Sequence, residues 1–355
     1  MLRISVILIT VLLILPRCGL AQHAPQWLDS NADDQLQVSD VIDPTIIDQD
    51  GHDDDDRDPD QIFNHPVELP VVRFKKQAIQ KVTVNSGWLV AAEGNDLSSS
   101  HLETSIGVGV PLGLIRRKLS GADEQSFSAG TANAEDGDLE ILGITPAFRV
   151  DFIDAAQGID VPPELFETGV SLFYRKTIND RLSTMAILRP SVRSDFTTSD
   201  NAFRLFGLGL LTWDCVPEEL SLSFGAVYLD RADLPLLPAV GLTWMPRTTT
   251  RLELQFPQSR LAWRLAKDGG ASETWSYFSA GIGGNTWAVT RADGRIDELS
   301  LGDIRLLLGV DHIVDGGGGW FAEFGYAFNR HLEYQSTQTK IDLSDGVVFQ
   351  AGWRY

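Results

Sequence analysis

The chain has 355 residues, a net charge of -20, a sequence pI near 4.6 and a mean hydropathy of -0.06. No nucleic-acid partner is expected. Past the N-terminus, no apolar run approaches the roughly 20 residues that a membrane-spanning helix needs, so a membrane protein with this sequence must cross as β-strands.

The N-terminus has the three parts of a secretory signal. Arg3 supplies the charged region, residues 4–15 are mostly apolar, and Gly19-Leu20-Ala21 has the small residues of a cleavage site. Residues 1–21 are therefore predicted to be a signal peptide, which implies export.

Residues 22–75 have the composition of an acidic, disordered lead. Between Asp29 and Asp60 there are 13 Asp and one basic residue, Arg57, so this stretch carries -12 of the net charge. With few aromatic residues, it cannot bury enough apolar surface to offset the entropy of ordering. The folded part of the protein is predicted to be residues 76–355.

Within residues 76–355, apolar and polar residues alternate. At the C-terminus, Val347, Phe349 and Trp353 fall on one face, while Gln350 and Arg354 fall on the other. This period of two predicts β-strands. The predicted strands are 80–93, 101–114, 139–153, 165–178, 182–195, 202–214, 219–230, 237–246, 249–256, 260–268, 273–291, 302–313, 318–334 and 345–355. They number fourteen, in a predicted range of 12–16, and a single-chain bacterial barrel requires an even number.

One-sided alternation is typical both of a soluble β-sandwich and of a closed barrel in lipid. The barrel is favoured because the apolar face continues along nearly the whole of each strand, and because aromatic residues gather near strand ends, as in interfacial girdles. These aromatic residues are Trp88, Tyr174, Trp213, Tyr228, Trp244, Trp263, Trp275, Trp320, Trp353 and Tyr355. In hydrocarbon a sheet edge finds no hydrogen-bond partner, so the sheet must close. We therefore predict an all-β fold, a closed antiparallel transmembrane β-barrel.

The last strand ends on an aromatic residue, which is typical of barrels assembled in the outer membrane. Phe349, Trp353 and Tyr355 are predicted to form this C-terminal insertion signal. Short turns are expected at one end of such a barrel. The predicted turns at 179–180, 247–248, 268–270 and 315–317 agree with this rule, whereas the connection 115–138 is long and polar.

Four stretches carry a family resemblance. They are LPAVGLTWMP at 237–246, RLELQFP at 251–257, FAEFGYAFNR at 321–330 and the C-terminal GWRY at 352–355. Together they resemble an uncharacterised bacterial family, known as a domain of unknown function and regarded as outer-membrane barrels. The resemblance covers roughly the last 150 residues well and the earlier strands loosely. It implies the barrel fold and transfers no catalytic residue.

The polar face, if it lines the interior, carries many charged residues. The predicted lumen-lining set is Arg149, Arg175, Arg189, Arg193, Arg204, Arg251, Glu253, Arg264, Arg305, Glu323 and Arg354. These charges need partners or water, because an unpaired buried ion is costly. They can form a salt-bridge network that fills a closed barrel, or they can line a pore whose arginines favour anions.

A narrow porin-like channel for small solutes is the leading functional prediction, with a closed structural or adhesive surface barrel as the alternative. A barrel-borne hydrolase is disfavoured. The barrel region has His101, His312 and His331, and the Asp311 carboxylate beside His312 belongs to the opposite face of the strand. We expect no enzyme activity, cofactor or metal site. The expected partners are the lipid bilayer, the barrel-assembly machinery during insertion and small anionic or polar solutes, and the expected location is the cell outer membrane.

Overall fold

A computed structural model of the chain describes residues 71, 79–92, 96–111, 140–230, 236–256, 258–337 and 339–355. The predicted signal peptide, the predicted disordered lead apart from Val71, and the long connection 115–138 lie outside the described residues. The bounds and properties of these segments therefore stay predictions.

Every helix or strand element within the described ranges is a β-strand. The sixteen strands are β1 (Ile79–Ala91), β2 (Leu97–Pro111), β3 (Glu140–Ala155), β4 (Glu164–Asn179), β5 (Leu182–Ser194), β6 (Phe203–Val216), β7 (Leu220–Tyr228), β8 (Leu236–Arg247), β9 (Thr250–Gln255), β10 (Gln258–Asp268), β11 (Ser272–Gly283), β12 (Thr286–Thr290), β13 (Ile296–Val314), β14 (Gly319–Tyr334), β15 (Thr339–Asp342) and β16 (Gly346–Arg354). Among the described residues, no helix has the length and apolarity of a membrane span.

Fourteen of the described strands form a closed antiparallel ring. Each strand from β1 to β10 pairs with the next one, β11 pairs with β13, and β14 pairs with both β13 and β16. The ring closes where β1 pairs with β16, from Thr83↔Arg354 to Ala91↔Gly346. The prediction of a closed fourteen-stranded barrel is confirmed. β12 and β15 are additional short strands outside the ring.

The outer surface of the ring is apolar and the inner surface is charged. Outward-facing Leu308 and Phe324 are 58% and 59% exposed, whereas inward-facing Arg149 and Glu167 are 6% and 1% exposed. A protein that folds in water buries these residue classes the other way round. The distribution fits a barrel whose outer surface contacts hydrocarbon.

The two ends of the barrel differ in their connections. Five short connections, 180–181, 217–219, 248–249, 269–271 and 315–318, lie at one end, which we call the turn end. The predicted short turns all fall there. The longer connections between ring strands, such as 156–163 and 195–202, lie at the opposite end, the loop end.

The predicted strand 273–291 is divided into β11 and β12. The break is at Gly284, which has a φ of +102° and no room for a side chain, since a Cβ there would lie 2.0 Å from the Leu301 carbonyl oxygen. Pairing with β13 keeps one register on both sides of the break, from Gly283↔Asp303 to Thr286↔Ser300. β12 therefore continues β11 beyond the ring, and β13 begins at Ile296 rather than at the predicted residue 302.

This extended hairpin crosses the loop end of the barrel. We call β12, residues 296–302 of β13, residues 331–334 of β14 and β15 the flap; its strands pair in that order. The free edge of β12 forms a parallel pairing with β5 at Ala288↔Ser194. Because β5 lies seven places from β13 in either direction around the ring, the flap spans the lumen to the opposite wall.

Inward-facing glycines make room for large side chains of neighbouring strands. The Tyr277 ring of β11 lies over Gly309 of β13, and its hydroxyl donates a 2.6 Å hydrogen bond to Glu323 Oε1 on β14. A Cβ at Gly309 would lie 2.3 Å from Tyr277 Cζ. Phe321 covers Gly352 in the same way. Covering a strand glycine with an aromatic ring helps to fix the strand register.

We predict that Gly309→Ala destabilises the barrel, because the added methyl displaces the Tyr277 ring from its path to Glu323. The expected loss in unfolding free energy is about 1–3 kcal/mol, as for other overpacking substitutions. Urea unfolding in lipid vesicles measures it. Gly209→Ala is the matched control, since a Cβ at Gly209 has no neighbour within 4 Å. Equal losses in the two variants would show that Tyr277 does not depend on this gap.

Candidate functional site: the charged lumen and its flap

The structure places all eleven predicted lumen-lining residues on the inner surface of the ring. Arg149, Arg189, Arg251, Arg354, Glu253 and Glu323 are buried, and Arg175, Arg193, Arg204, Arg264 and Arg305 are half-buried. Alternation along each strand produces this placement, because residues two apart point to the same side of a sheet. The enclosed wall is therefore strongly ionic.

Arginine and carboxylate side chains pair along single strands. On β3, Arg149 Nη2 lies 2.7 Å from Asp151 Oδ1, and on β13, Arg305 Nε lies 2.9 Å from Asp303 Oδ1. Arg251 and Glu253 pair in the same way on β9. Each pair occupies positions i and i+2, which share one face of a strand. These pairs balance charge locally, because each of these arginines has a counter-charge next to it on its own strand.

A second arrangement joins neighbouring strands around one glutamate. Glu167 Oε1 on β4 accepts a 2.9 Å hydrogen bond from Arg189 Nη2 and a 3.0 Å hydrogen bond from Arg193 Nη2, both on β5. Glu167 is 1% exposed. Arg193 also donates to the Asn285 side chain at the break before β12. This cluster therefore ties the inner wall to the base of the flap.

A third group lies on the wall formed by β10 to β16. Arg354 Nη1 lies 3.1 Å from Asp311 Oδ1, and Arg260 Nη2 lies 4.0 Å from Asp311 Oδ2. The Arg260 guanidinium also lies 3.6 Å from the centre of the Tyr277 ring. Arg260 is absent from the predicted set. It lies four residues before Arg264 on β10, so alternation places both side chains on the same face, and this spacing could have identified it.

A β-bulge brings three further side chains inward that simple alternation misses. Pairing between β13 and β14 shifts by one residue between Gly302↔His331 and Ile304↔Phe328, and Asn329 has a φ of +52°. An extra residue in one strand reverses the facing of all residues beyond it. Arg330, Leu332 and Tyr334 are therefore buried. The Asn residue is the available signal, since Asn tolerates positive φ better than most residues.

Most of the predicted girdle aromatics lie on the outer surface, including the predicted insertion-signal residues. Phe349, Trp353 and Tyr355 are exposed outward on or just after β16. Trp275 was predicted in the girdle, and this is wrong. It shares the inward face of β11 with Glu273 and Tyr277, and the Arg264 guanidinium lies 5.9 Å from its ring centre.

Below the flap, the loop end of the lumen is filled by buried apolar side chains, which we call the apolar seal. The apolar seal consists of Leu97, Ile153, Leu165, Trp287, Val289, Leu299, Leu332 and Tyr334. Leu165, Val289, Leu299 and Leu332 are 0% exposed. The seal joins the flap to the wall at β2, β3 and β4, so flap and wall share one hydrophobic core.

Polar contacts also hold the flap to the wall, and we call this set the latch. Arg204 on β6 contacts Glu298 on β13 at 2.7 Å, and the Thr290 backbone N–H donates to Asp195 Oδ2 at 2.7 Å. Arg291 at the hairpin tip contacts Asp160 at 3.0 Å. Strands opposite each other in the ring are thus bridged by side chains.

Asp195 has an altered acidity at the loop end. Burial acts to raise the pKa of its carboxyl, but the backbone N–H of Thr290 and the groups of Thr197 and Thr198 donate hydrogen bonds that stabilise the charged form. The pKa of Asp195 is therefore lowered from its ordinary value. The ionised carboxylate is part of the latched arrangement.

Comparison of the sequence with known protein families finds a match to one uncharacterised family. Residues 154–268 match the family model DUF6268, a domain of unknown function. The predicted resemblance to an uncharacterised family is confirmed on this stretch. Its extent differs, because the motifs at 237–246 and 251–257 lie inside the match and those at 321–330 and 352–355 lie outside it. No curated protein matches the sequence.

Two solved structures are similar to this chain at low scores. The β-domain of the Bordetella autotransporter BrkA has 11% identity and a TM-score of 0.32, with 78% of this chain and 98% of that chain covered. The translocator domain of the autotransporter NalP from Neisseria meningitidis has 10% identity and a TM-score of 0.23, with 79% and 90% covered. Likenesses at these scores do not bear on what the chain does.

We predict that Glu167→Gln lowers the unfolding free energy by about 3–5 kcal/mol, because it leaves Arg189 and Arg193 without their shared buried counter-charge. Urea unfolding in vesicles measures this loss. The control is Asp293→Asn at the hairpin tip, where the 3.3 Å pair with Arg295 is 53% and 56% exposed, and a change within about 1 kcal/mol is expected. A Glu167→Gln variant as stable as this control would contradict the role of the cluster.

We predict that acid loosens the latch. The lowered pKa of Asp195 means that its contribution is complete above the ordinary aspartate pKa of about 3.9 and is lost as the pH falls through the lowered value. Hydrogen-exchange protection of the Thr290 amide, corrected for intrinsic exchange, should therefore fall in acid. In Asp195→Asn this pH dependence should disappear. Protection that falls identically in both proteins would assign the effect to other groups.

Proposed function

We propose that this protein is an exported outer-membrane barrel that passes small polar or anionic solutes, with the flap as its gate. The observation that carries the proposal is the enclosed ionic wall below a flap held to the opposite wall partly by exchangeable polar contacts. It is a proposal of passage, and no chemical reaction is assigned to the lumen.

The outer-membrane location is supported by the ring and by its surface. An even number of antiparallel strands, short turns at one end and an apolar outer surface are the properties of bacterial outer-membrane barrels. The predicted signal peptide supplies export. On this proposal, Phe349, Trp353 and Tyr355 are recognised by the barrel-assembly machinery, and the turn end faces the periplasm.

The proposed selectivity follows from charge pairing. Arg149, Arg251 and Arg305 each have a carboxylate two residues away on the same strand. Paired charges present donors and acceptors to a passing solute without a large net field. A preference for polar solutes is therefore favoured over strong anion selectivity, and the Arg189 and Arg193 cluster is where an anion is best stabilised.

The alternative is a closed structural or adhesive barrel, and the apolar seal favours it. Opening the flap exposes the side chains of Trp287, Val289 and Leu299 to water, at a cost proportional to the apolar area. If this cost exceeds the free energy that a solute or partner supplies by binding to the open state, the barrel stays shut. The two functions therefore differ in a measurable way, the frequency of flap opening.

Conductance across planar bilayers tests the gate. We expect rare openings for the mature protein and an open probability higher by about tenfold for an Asp195→Ala, Glu298→Ala double variant, because two polar contacts of the latch are lost. Asp293→Ala on the same hairpin is the control and should behave as the unchanged protein does. Absence of conductance steps in all three proteins would reject passage and favour the closed barrel.

A further inference from the structure

The loop-end connection between β5 and β6 carries latch contacts on both sides of one residue, Phe196. The Thr290 backbone N–H donates to Asp195 Oδ2 at 2.7 Å, and Thr197 Oγ1 donates to Thr290 Oγ1 at 2.7 Å. Both chain neighbours of Phe196 are therefore fixed to the end of β12 in the flap.

Phe196 itself lies on the outer surface of the barrel. Its side chain is 63% exposed, and its ring stacks on that of Phe166 on β4, with 4.2 Å between the ring centroids. Phe166 faces outward, because its neighbours Leu165 and Glu167 are buried on the inner side. The Phe166 ring lies 6.5 Å from that of Phe148, which is exposed on the outer face of β3. Phe196 is thus continuous with the apolar surface that contacts lipid.

The backbone of Phe196 is strained. Its φ is +61°, in the left-handed region that is unfavourable for residues with a Cβ. The Phe196 N–H donates to Ser194 Oγ at 3.0 Å, and the same hydroxyl donates to the Thr198 carbonyl at 2.5 Å. Such strain persists only where the surroundings hold it. Since this turn by itself favours Gly or Asn, the aromatic ring must offset its cost outside the turn.

We propose that Phe196 is a lipid anchor for the latch, with its ring among the acyl chains beside β4. Transfer of an apolar ring from water to hydrocarbon is favourable in proportion to its area. That transfer stabilises the strained turn, which presents Asp195 and Thr197 to Thr290. The inference deepens the proposed function by naming the lipid surface as the regulator of the flap; control of passage rests on that function, whereas anchoring does not.

Fluorine NMR locates the ring without removing it. The full mature protein, with fluorophenylalanine at position 196 alone, is placed in phosphatidylcholine nanodiscs. Relaxation is measured with a nitroxide-labelled lipid and with a water-soluble gadolinium chelate. We expect the lipid nitroxide to relax this label several-fold more than the same label at Phe173, which faces the lumen and is 2% exposed. Stronger relaxation by the chelate than by the lipid would place the ring in water and overturn the anchor.

Bilayer thickness tests the coupling between the anchor and the latch. Hydrogen-exchange protection of the Thr290 amide should be several-fold lower in short-chain than in long-chain phosphatidylcholine vesicles, because a thin bilayer withdraws acyl chains from the ring. Phe196→Ala should show the low protection in both bilayers, and Phe196→Trp should retain the dependence. Phe203→Ala is the matched control, since Phe203 is 61% exposed on the same surface and makes no latch contact among the described residues; it should behave as the unchanged protein does.

Phe196→Asn separates the ring from the backbone. Asn tolerates a positive φ, so a purely local role for this position predicts equal or higher protection of the Thr290 amide in long-chain vesicles. The lipid anchor predicts a several-fold loss of protection, because the ring is gone. Gel mobility with and without heating confirms that each variant is folded.

Protection in Phe196→Asn equal to that of the unchanged protein would overturn the coupling, as would a thickness dependence that persists in Phe196→Ala. None of these measurements depends on conductance. Anchoring as expected in a protein that never conducts would reject the proposed passage and retain the lipid anchor, so the two proposals fail separately.

Discussion

The structure depends on the pairing of backbone N–H and C=O groups around a closed sheet. In hydrocarbon an unpaired group has no water to replace its partner, and each one costs several kcal/mol. The pairing of β1 with β16 removes the two edges that the sheet would otherwise have. Once the ring is closed, one face of every strand must contact lipid and the other must be enclosed, and the segregation of apolar and charged residues follows.

An enclosed ionic wall needs local solutions for charge and for shape. Charge is balanced within strands, as in Arg149 and Asp151, and between strands, as where Glu167 serves Arg189 and Arg193. Shape is adjusted by glycines such as Gly309, which gives the Tyr277 ring a path to Glu323. The bulge at Asn329 then turns Leu332 and Tyr334 inward, where they complete the apolar seal.

The loop end and the side wall make opposite contributions to access. At the loop end, a hairpin longer than its neighbours bends over the lumen and shares a hydrophobic core with the opposite wall, so an axial route requires the flap to move. In the side wall, Pro146 and Pro190 interrupt backbone pairing beneath an apolar groove. Backbone pairing is therefore unevenly distributed around the barrel.

The sequence by itself determined most of the ring strands, their number and the face on which the eleven predicted lumen-lining residues lie, because a period of two is a local property that backbone geometry converts directly into facing. It also determined the short turns, where Asp-Gly and Asn-Asp pairs stand between apolar segments. Only the tertiary structure decided that residues 286–300 leave the ring to form the flap, that the bulge at Asn329 reverses the facing of Arg330, and that Trp275 points inward. Those outcomes depend on pairing between strands far apart in the chain, such as β12 with β5, and local alternation carries no information about which distant partner a strand will meet.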